Sequence, residues 1–186
     1  MLATIPADAA IAIRTVIALV FLSAALGKFR HWRVFQGVVA NYRLLPRPLI
    51  APVAYLLPPL EAVIGTALLT GRIAPWTEFA AAVVLAAFAA AMGANLLRGR
   101  RYIDCGCFQG TLKQTLRWRL VARNAVMVSL LGLVVAIPAS PIDGWAVVNG
   151  LLAGCAIFVV VQSLNTLWAI RRPAVRQPRG QLEGLS

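Results

Sequence analysis

Two cysteines in one short polar stretch are the residues best suited to chemistry in this chain, which there reads Asp104-Cys105-Gly106-Cys107-Phe108-Gln109-Gly110. In an extended strand residues i and i+2 lie about 6.6 Å apart, at the outer edge of the separation a disulfide spans. A bridge between Cys105 and Cys107 therefore requires a tight turn, which Gly106 permits because glycine reaches positive φ without steric penalty. The small ring is strained, and a strained disulfide is readily reduced. Arg100 and Arg101 upstream favour the thiolate, and Asp104 opposes it. The pattern is that of a redox-active dithiol. The plainer alternative is a pair of thiols that stay reduced and idle in a cytosolic loop.

The elements that must hold this stretch are apolar. Hydrophobic residues make up 60% of the 186 and charged residues only 13%, against about 45–50% and about 25% in soluble proteins. A soluble globule of this size has no interior large enough for so much apolar surface, and a disordered chain has the opposite bias. Five apolar runs stand out: Ala9 to Gly27, Leu49 to Thr70, Pro75 to Leu97, Leu120 to Ile137 and Gly144 to Ile170. Each is long enough to cross a hydrocarbon layer of about 30 Å as a tilted helix. None shows the period-two alternation of a barrel strand. The expected fold is all-α: a polytopic bundle of five transmembrane helices over residues 1–172, with a disordered cytoplasmic tail over 173–186. Trp76, Trp145 and Trp168 fall near span ends, where interfacial tryptophan belongs. The first thirteen residues carry no Lys or Arg, so the first run reads as an uncleaved helix rather than a secretory signal.

Charge placement gives an orientation and removes one function class. The net charge is +12, but the basic residues sit in clusters between apolar runs rather than on one face of a soluble fold, which argues against a nucleic-acid partner. Sixteen of the 18 basic residues lie in the stretch between spans one and two, between spans three and four with the first turn of span four, or in the tail. Arg72 alone lies in a connection on the opposite side, and Arg14 lies inside span one. The positive-inside rule then places the N-terminus outside, the C-terminus in the cytoplasm, and the cysteine stretch at the cytoplasmic face of a cell membrane.

Polar residues within the spans come next. Arg14 and Glu61 both fall toward the outer halves of their helices, at depths about 6 Å apart. They are expected either to form an intramembrane ion pair or proton site, or to stay separate, with Arg14 snorkelling outward and Glu61 bonded to backbone freed by Pro58. Pro58-Pro59 is expected to break or kink span two and to leave some cavity or local distortion near Glu61. Lys28, Asn95, Arg123, Asn124, Gln162 and Asn165 all fall near inner span ends. They either surround the dithiol or a quinone head group, or make ordinary helix–helix hydrogen bonds. Arg123 is the best candidate partner for a thiolate. Cys155 beside Gly150-x-x-x-Gly154 reads as a packing thiol in a close helix contact, and His31 as an interfacial residue.

The cysteine stretch and its setting resemble the MauE/DoxX-like membrane protein family, the methylamine-utilisation proteins among them. The resemblance is carried by Cys105-Gly106-Cys107-Phe108 after the third span, Gly27-Lys28 with Phe35, Leu45-Pro46, Leu57-Pro58 with Glu61 and Gly65, Trp118, and Arg123-Asn124. It covers about residues 9–170. Gln109 separates Phe108 from Gly110, where the family pattern has Phe-Gly directly. The resemblance implies a redox-associated membrane protein that supports disulfide formation or thiol electron transfer for extracytoplasmic partners, often thioredoxin-like. That implication conflicts with the cytoplasmic placement of the cysteines, and the sequence leaves the conflict open.

Three functions remain in play: a thiol–disulfide oxidoreductase or its accessory, a soft-metal (copper or mercury) transporter or chaperone, and a non-catalytic assembly subunit. Two thiolates suit Cu(I) or Hg(II), but the chain has three Met and one His, few for a metal path. A structural zinc site expects four ligands. No flavin or nicotinamide fingerprint is present, which leaves partner thiols or a lipid-soluble quinone to exchange electrons with the dithiol.

Overall fold

The computed structural model describes residues 4–100 and 116–170, with side chains described to residue 167. The described chain is all-helical: α1 (Ala7–Arg30), α2 (Trp32–Tyr42), α3 (Arg47–Thr70), α4 (Trp76–Leu97), α5 (Trp118–Ala136) and α6 (Gly144–Ile170). All except α2 are long and apolar enough to cross a membrane. Their outer surfaces carry residues such as Leu56, Val83 and Val159, all exposed, as lipid rather than water requires. The protein is a multi-pass helical membrane protein.

The helix boundaries follow from local chemistry. Pro46 is the N-cap of α3, with Pro48 in its first turn, where a missing N–H costs nothing. Gly71 ends α3 with φ +61° and Gly99 follows α4 with φ +74°, a backbone region open to glycine. Contrary to the expected break, α3 runs unbroken through Pro52, Pro58 and Pro59. The helices packed around it hold it helical where proline withholds backbone donors.

Helix α1 is central, with α3 and α6 packed along it, while α4 pairs chiefly with α5. The main core joins Ile17, Ala18 and Phe21 of α1 to Ile64 and Leu68 of α3, Leu85 of α4 and Met127 and Leu131 of α5. Three glycine contacts, on two flanks, fix the register around α1. A methyl built on Gly65 would lie 2.8 Å from Leu22 Cγ and 3.0 Å from the Ala18 carbonyl oxygen, so α3 meets α1 backbone to backbone. On the other flank a methyl on Gly154 would lie 2.6 Å from Thr15 Cβ, and one on Gly150 2.7 Å from the Asp8 carbonyl oxygen. This is small-residue packing of the kind that replaces the hydrophobic effect inside lipid. Gly154→Val is expected to lower stability by about 1–3 kcal/mol through overpacking, read as a lower midpoint of thermal unfolding in detergent. Cys155 next to this seam is not itself packed in it. It is exposed on the outer surface of α6, which corrects its reading as a packing thiol.

One end of the bundle gathers the N-terminus and the α3–α4 and α5–α6 connections. There the Ile5 N–H donates to the Pro138 carbonyl, the Ser140 N–H donates to the Ile5 carbonyl, and the Ala7 N–H donates to Ser140 Oγ at 2.9 Å. The opposite end carries α2 and the α4–α5 connection. Helix α2 was not expected, because residues 31–43 read as a basic loop. It presses Phe35 and Val38 against Ala54 of α3, with Val39, Tyr42 and Leu57 around them. Trp32 adds an edge-on contact with Tyr55, ring centroids 5.6 Å apart. His31 is exposed at the α1–α2 junction, as expected for an interfacial residue. The cysteine stretch with Asp104, Cys105, Gly106 and Cys107 lies outside the described residues, as does the tail.

Candidate functional site

Two ion pairs are seen inside the bundle among the described residues, and neither is the pair expected. Lys28 Nζ donates to Glu61 Oε1, with both side chains essentially fully buried. Arg14 Nε lies 2.8 Å from Glu78 Oε1, with Glu78 1% exposed. The expected Arg14–Glu61 pair is therefore corrected, and the reason is register. Gly65 sits against Ala18 and Leu22, and Gly71 is 3.7 Å from Arg14 Nη1, measured from a built Cβ. Along these antiparallel helices that sets Glu61 level with about Ala24, some 15 Å from the level of Arg14 by helical rise. An arginine cannot reach that far. Lys28 can, because a helical side chain leans toward its own N-terminus and so back up α1 to the level of Glu61.

The Lys28 ammonium is enclosed by aromatic faces as well as by its counter-ion. It lies 5.2 Å from the Phe35 ring centroid and 5.3 Å from that of Phe88, within cation–π range. Helices α1, α2, α3 and α4 thus each contribute one group to a single buried charge. A charge at such a depth persists only when it is paired and its hydrogen-bonding groups are satisfied.

Beside this pair lies a small cavity to which all five spanning helices contribute. It encloses about 30 Å³, and its polar lining is Ser23, Glu61, Arg123, Asn124 and Gln162, with Phe88 among the apolar residues. Asn124 is 1% exposed, and its Nδ2 donates to the Leu85 carbonyl across to α4 at 3.4 Å. Its Oδ1 and the Nε of Arg123 are buried without a hydrogen-bond partner among the described residues. One helical turn or two further toward the α4–α5 connection, Asn95 donates to the Ala91 carbonyl of its own helix and accepts from Arg100 Nη1 at 3.5 Å.

The polar residues picked from the spans therefore divide. Lys28, Glu61, Arg123, Asn124 and Gln162 come together around one pair and one cavity. Asn95 lies further along and serves its own helix and Arg100, and Asn165 is half-buried on α6. Arg14 is at the other end of the bundle. Glu78 was missed: it follows Trp76 at the start of an apolar run, where an acidic residue reads as flanking sequence. Met92 and Met127 are packed in the apolar cores. Among the described residues no group of three His, Cys, Asp or Glu is placed to hold a metal ion.

These features define a class: a small helical membrane protein with a buried Lys–Glu pair and a polar cavity at the end of the bundle that carries the α4–α5 connection. The family model described as methylamine utilisation protein MauE matches residues 6–138, and the chain belongs to this family. It is similar to the methylamine utilization protein MauE of Paracoccus denitrificans, 44% identical over 161 residues, which is 84% of this chain and 85% of that protein. The protein of the same name from Paracoccus versutus is 38% identical over 174 residues, 91% of this chain and 94% of its own. That from Methylorubrum extorquens is 41% identical over 133 residues, 71% of this chain and 72% of its own. No solved structure matches the chain.

Proposed function

We propose that this protein serves methylamine utilisation as a membrane thiol–disulfide redox protein whose exchanging groups are Cys105 and Cys107. The observation that carries the reading is the Cys-Gly-Cys sequence in the connection between α4 and α5, a polar stretch held between two paired membrane helices. Family membership supports the setting, since the relatives bear a methylamine-utilisation name.

The chemistry needs only these two sulfurs and a partner disulfide. A thiolate of the pair attacks a partner sulfur, the partner's S–S bond breaks, and its departing thiolate takes a proton. The second cysteine then attacks the mixed disulfide, which leaves the partner reduced by two electrons and the pair oxidised as a small-ring disulfide. The reverse sequence oxidises a partner dithiol. A thioredoxin-like protein presents groups of this kind. A lipid-soluble quinone is a second group able to take the pair of electrons. Arg123, in the first turns of α5, is the cation we assign to the thiols, because a cation near a thiol favours the thiolate.

Changing Cys107 to Ser is expected to trap a partner on Cys105 as a mixed disulfide, seen as a reductant-sensitive mass increase after alkylation of intact cells. If both cysteines stay reduced under every growth condition and no mixed disulfide is captured, the thiol reading fails and soft-metal binding becomes the better account.

The orientation proposed for this function is N-terminus outside and C-terminus cytoplasmic, from the charge bias of the connections. Reporter fusions after Thr70 and after Pro141 are expected to read extracytoplasmic, and one after Arg172 cytoplasmic. A tail found outside the cell would reverse the assignment.

A further inference from the structure

The cavity beside the Lys28–Glu61 pair has a chemistry that the thiol reading does not use. Among the described residues of its lining, Arg123 Nε–H is a buried donor and Asn124 Oδ1 a buried acceptor without a hydrogen-bond partner. Both are buried in the membrane-spanning part of the chain, where an unsatisfied polar group is costly. Adjacent residues facing one cavity with opposite hydrogen-bonding needs are complementary to a molecule that both accepts and donates. The volume of about 30 Å³ is room enough for water, and a polar wall with several partners is the condition under which buried water is held. The Glu61 carboxylate forms another part of the same wall.

We propose that this cavity is a proton-exchange site, in which water bonded to Arg123 Nε–H and Asn124 Oδ1 carries protons to and from the Glu61 carboxylate. The inference goes beyond the thiol reading and does not need it.

The groups that face Glu61 are consistent with exchange. Lys28 approaches from α1 as its ion-pair partner, and Arg123 lines the cavity from α5. Helix α4 offers Leu85 and Phe88, which do not titrate, and α6 offers the neutral Gln162. Tyr42 of α2 packs against the two apolar clusters at this end. Water at the carboxylate lets a proton arrive or leave without opening the bundle. For the proposed thiol chemistry, the site gives a destination to the proton that leaves sulfur when a thiolate forms.

Infrared difference spectroscopy of the full chain in phosphatidylcholine liposomes tests this, with Cys105→Ser and Cys107→Ser introduced. Failure there leaves the thiol reading untouched, and mixed-disulfide capture tests that reading alone. A protonated-carboxyl band is expected to grow as pH falls and to vanish in Glu61→Gln. On transfer to heavy water this band is expected to shift within the mixing time. Asn124→Leu is expected to slow that shift by at least about tenfold. Gln162→Leu, at the half-exposed side of the cavity, provides a second variant should Asn124→Leu fail to fold. A band from Glu78, which does not line the cavity, is expected to be unaffected by either. No Glu61 band at any pH, a band that does not exchange, or exchange equally fast in the folded cavity variants would overturn the proposal.

Discussion

Replacing Lys28 by methionine is expected to destabilise the protein by about 3–5 kcal/mol, and replacing Glu61 by leucine by a similar amount. Each change leaves one charge buried without its partner. Lys28 is 2% exposed and Glu61 0%, so neither orphan can be rehydrated without opening the bundle. The Lys28→Met, Glu61→Leu double variant is expected to be close to neutral, because removing both charges also removes both desolvation penalties. Glu61→Gln is expected to fall between, since it keeps an acceptor for the ammonium and loses the counter-charge. Thermal unfolding in detergent measures all four, and the double-mutant cycle isolates the coupling. Arg14→Leu combined with Glu61→Leu is expected to be additive, because Arg14 pairs with Glu78 instead. Coupling between Arg14 and Glu61, or none between Lys28 and Glu61, would show that the register of α1 against α3 differs from that described.

That register marks the limit of what could be read without coordinates. The five spans were legible because lipid requires about 20 apolar residues in a row, a constraint written directly in composition. The expected bounds agree with α1 and α3–α6 to within a few residues. The partner of Glu61 was not legible, because depth was counted from the ends of apolar runs, as if neighbouring helices ended level. Gly65 against Ala18 and Leu22 instead offsets the helices, so that Gly71 at the end of α3 meets Arg14, two turns into α1. No sequence pattern says which residue a lone glycine will face. Helix α2 carried a usable signal: Phe35, Val38, Val39 and Tyr42 recur at helical spacing. The surrounding arginines and its shortness made the segment read as a loop between spans. Of the cavity's polar lining, Arg123, Asn124 and Gln162 were legible as residues near inner span ends, whereas Glu61 read as lying toward the outer half of its helix and Ser23 carried no signal. That Lys28 pairs with Glu61 while Arg123 and Asn124 face the cavity depended on packing around α1.

Replacing both Cys105 and Cys107 by serine is expected to abolish the protein's activity while leaving its helices folded. The reason for the separation is architectural. The described cores are built from residues of α1–α5 together with Leu116, and the seam with α6 from Gly150 and Gly154 against α1, so the spans pack on one another through side chains of their own. The helical circular dichroism and unfolding midpoint of the double variant are therefore expected to match the unaltered chain. Its alkylation pattern in cells is expected to lose every reductant-dependent species. Cys155→Ser is expected to be silent in both measurements, because that thiol is exposed on the outer surface of α6, away from the glycine seam with α1. The contrast with the ion pair is what gives the experiment its force. Lys28 and Glu61 substitutions are expected to remove activity by way of stability, whereas the cysteine substitutions remove it at full stability. A double serine variant that retains full activity would place the chemistry elsewhere in the chain. One that unfolds would make Cys105 and Cys107 structural.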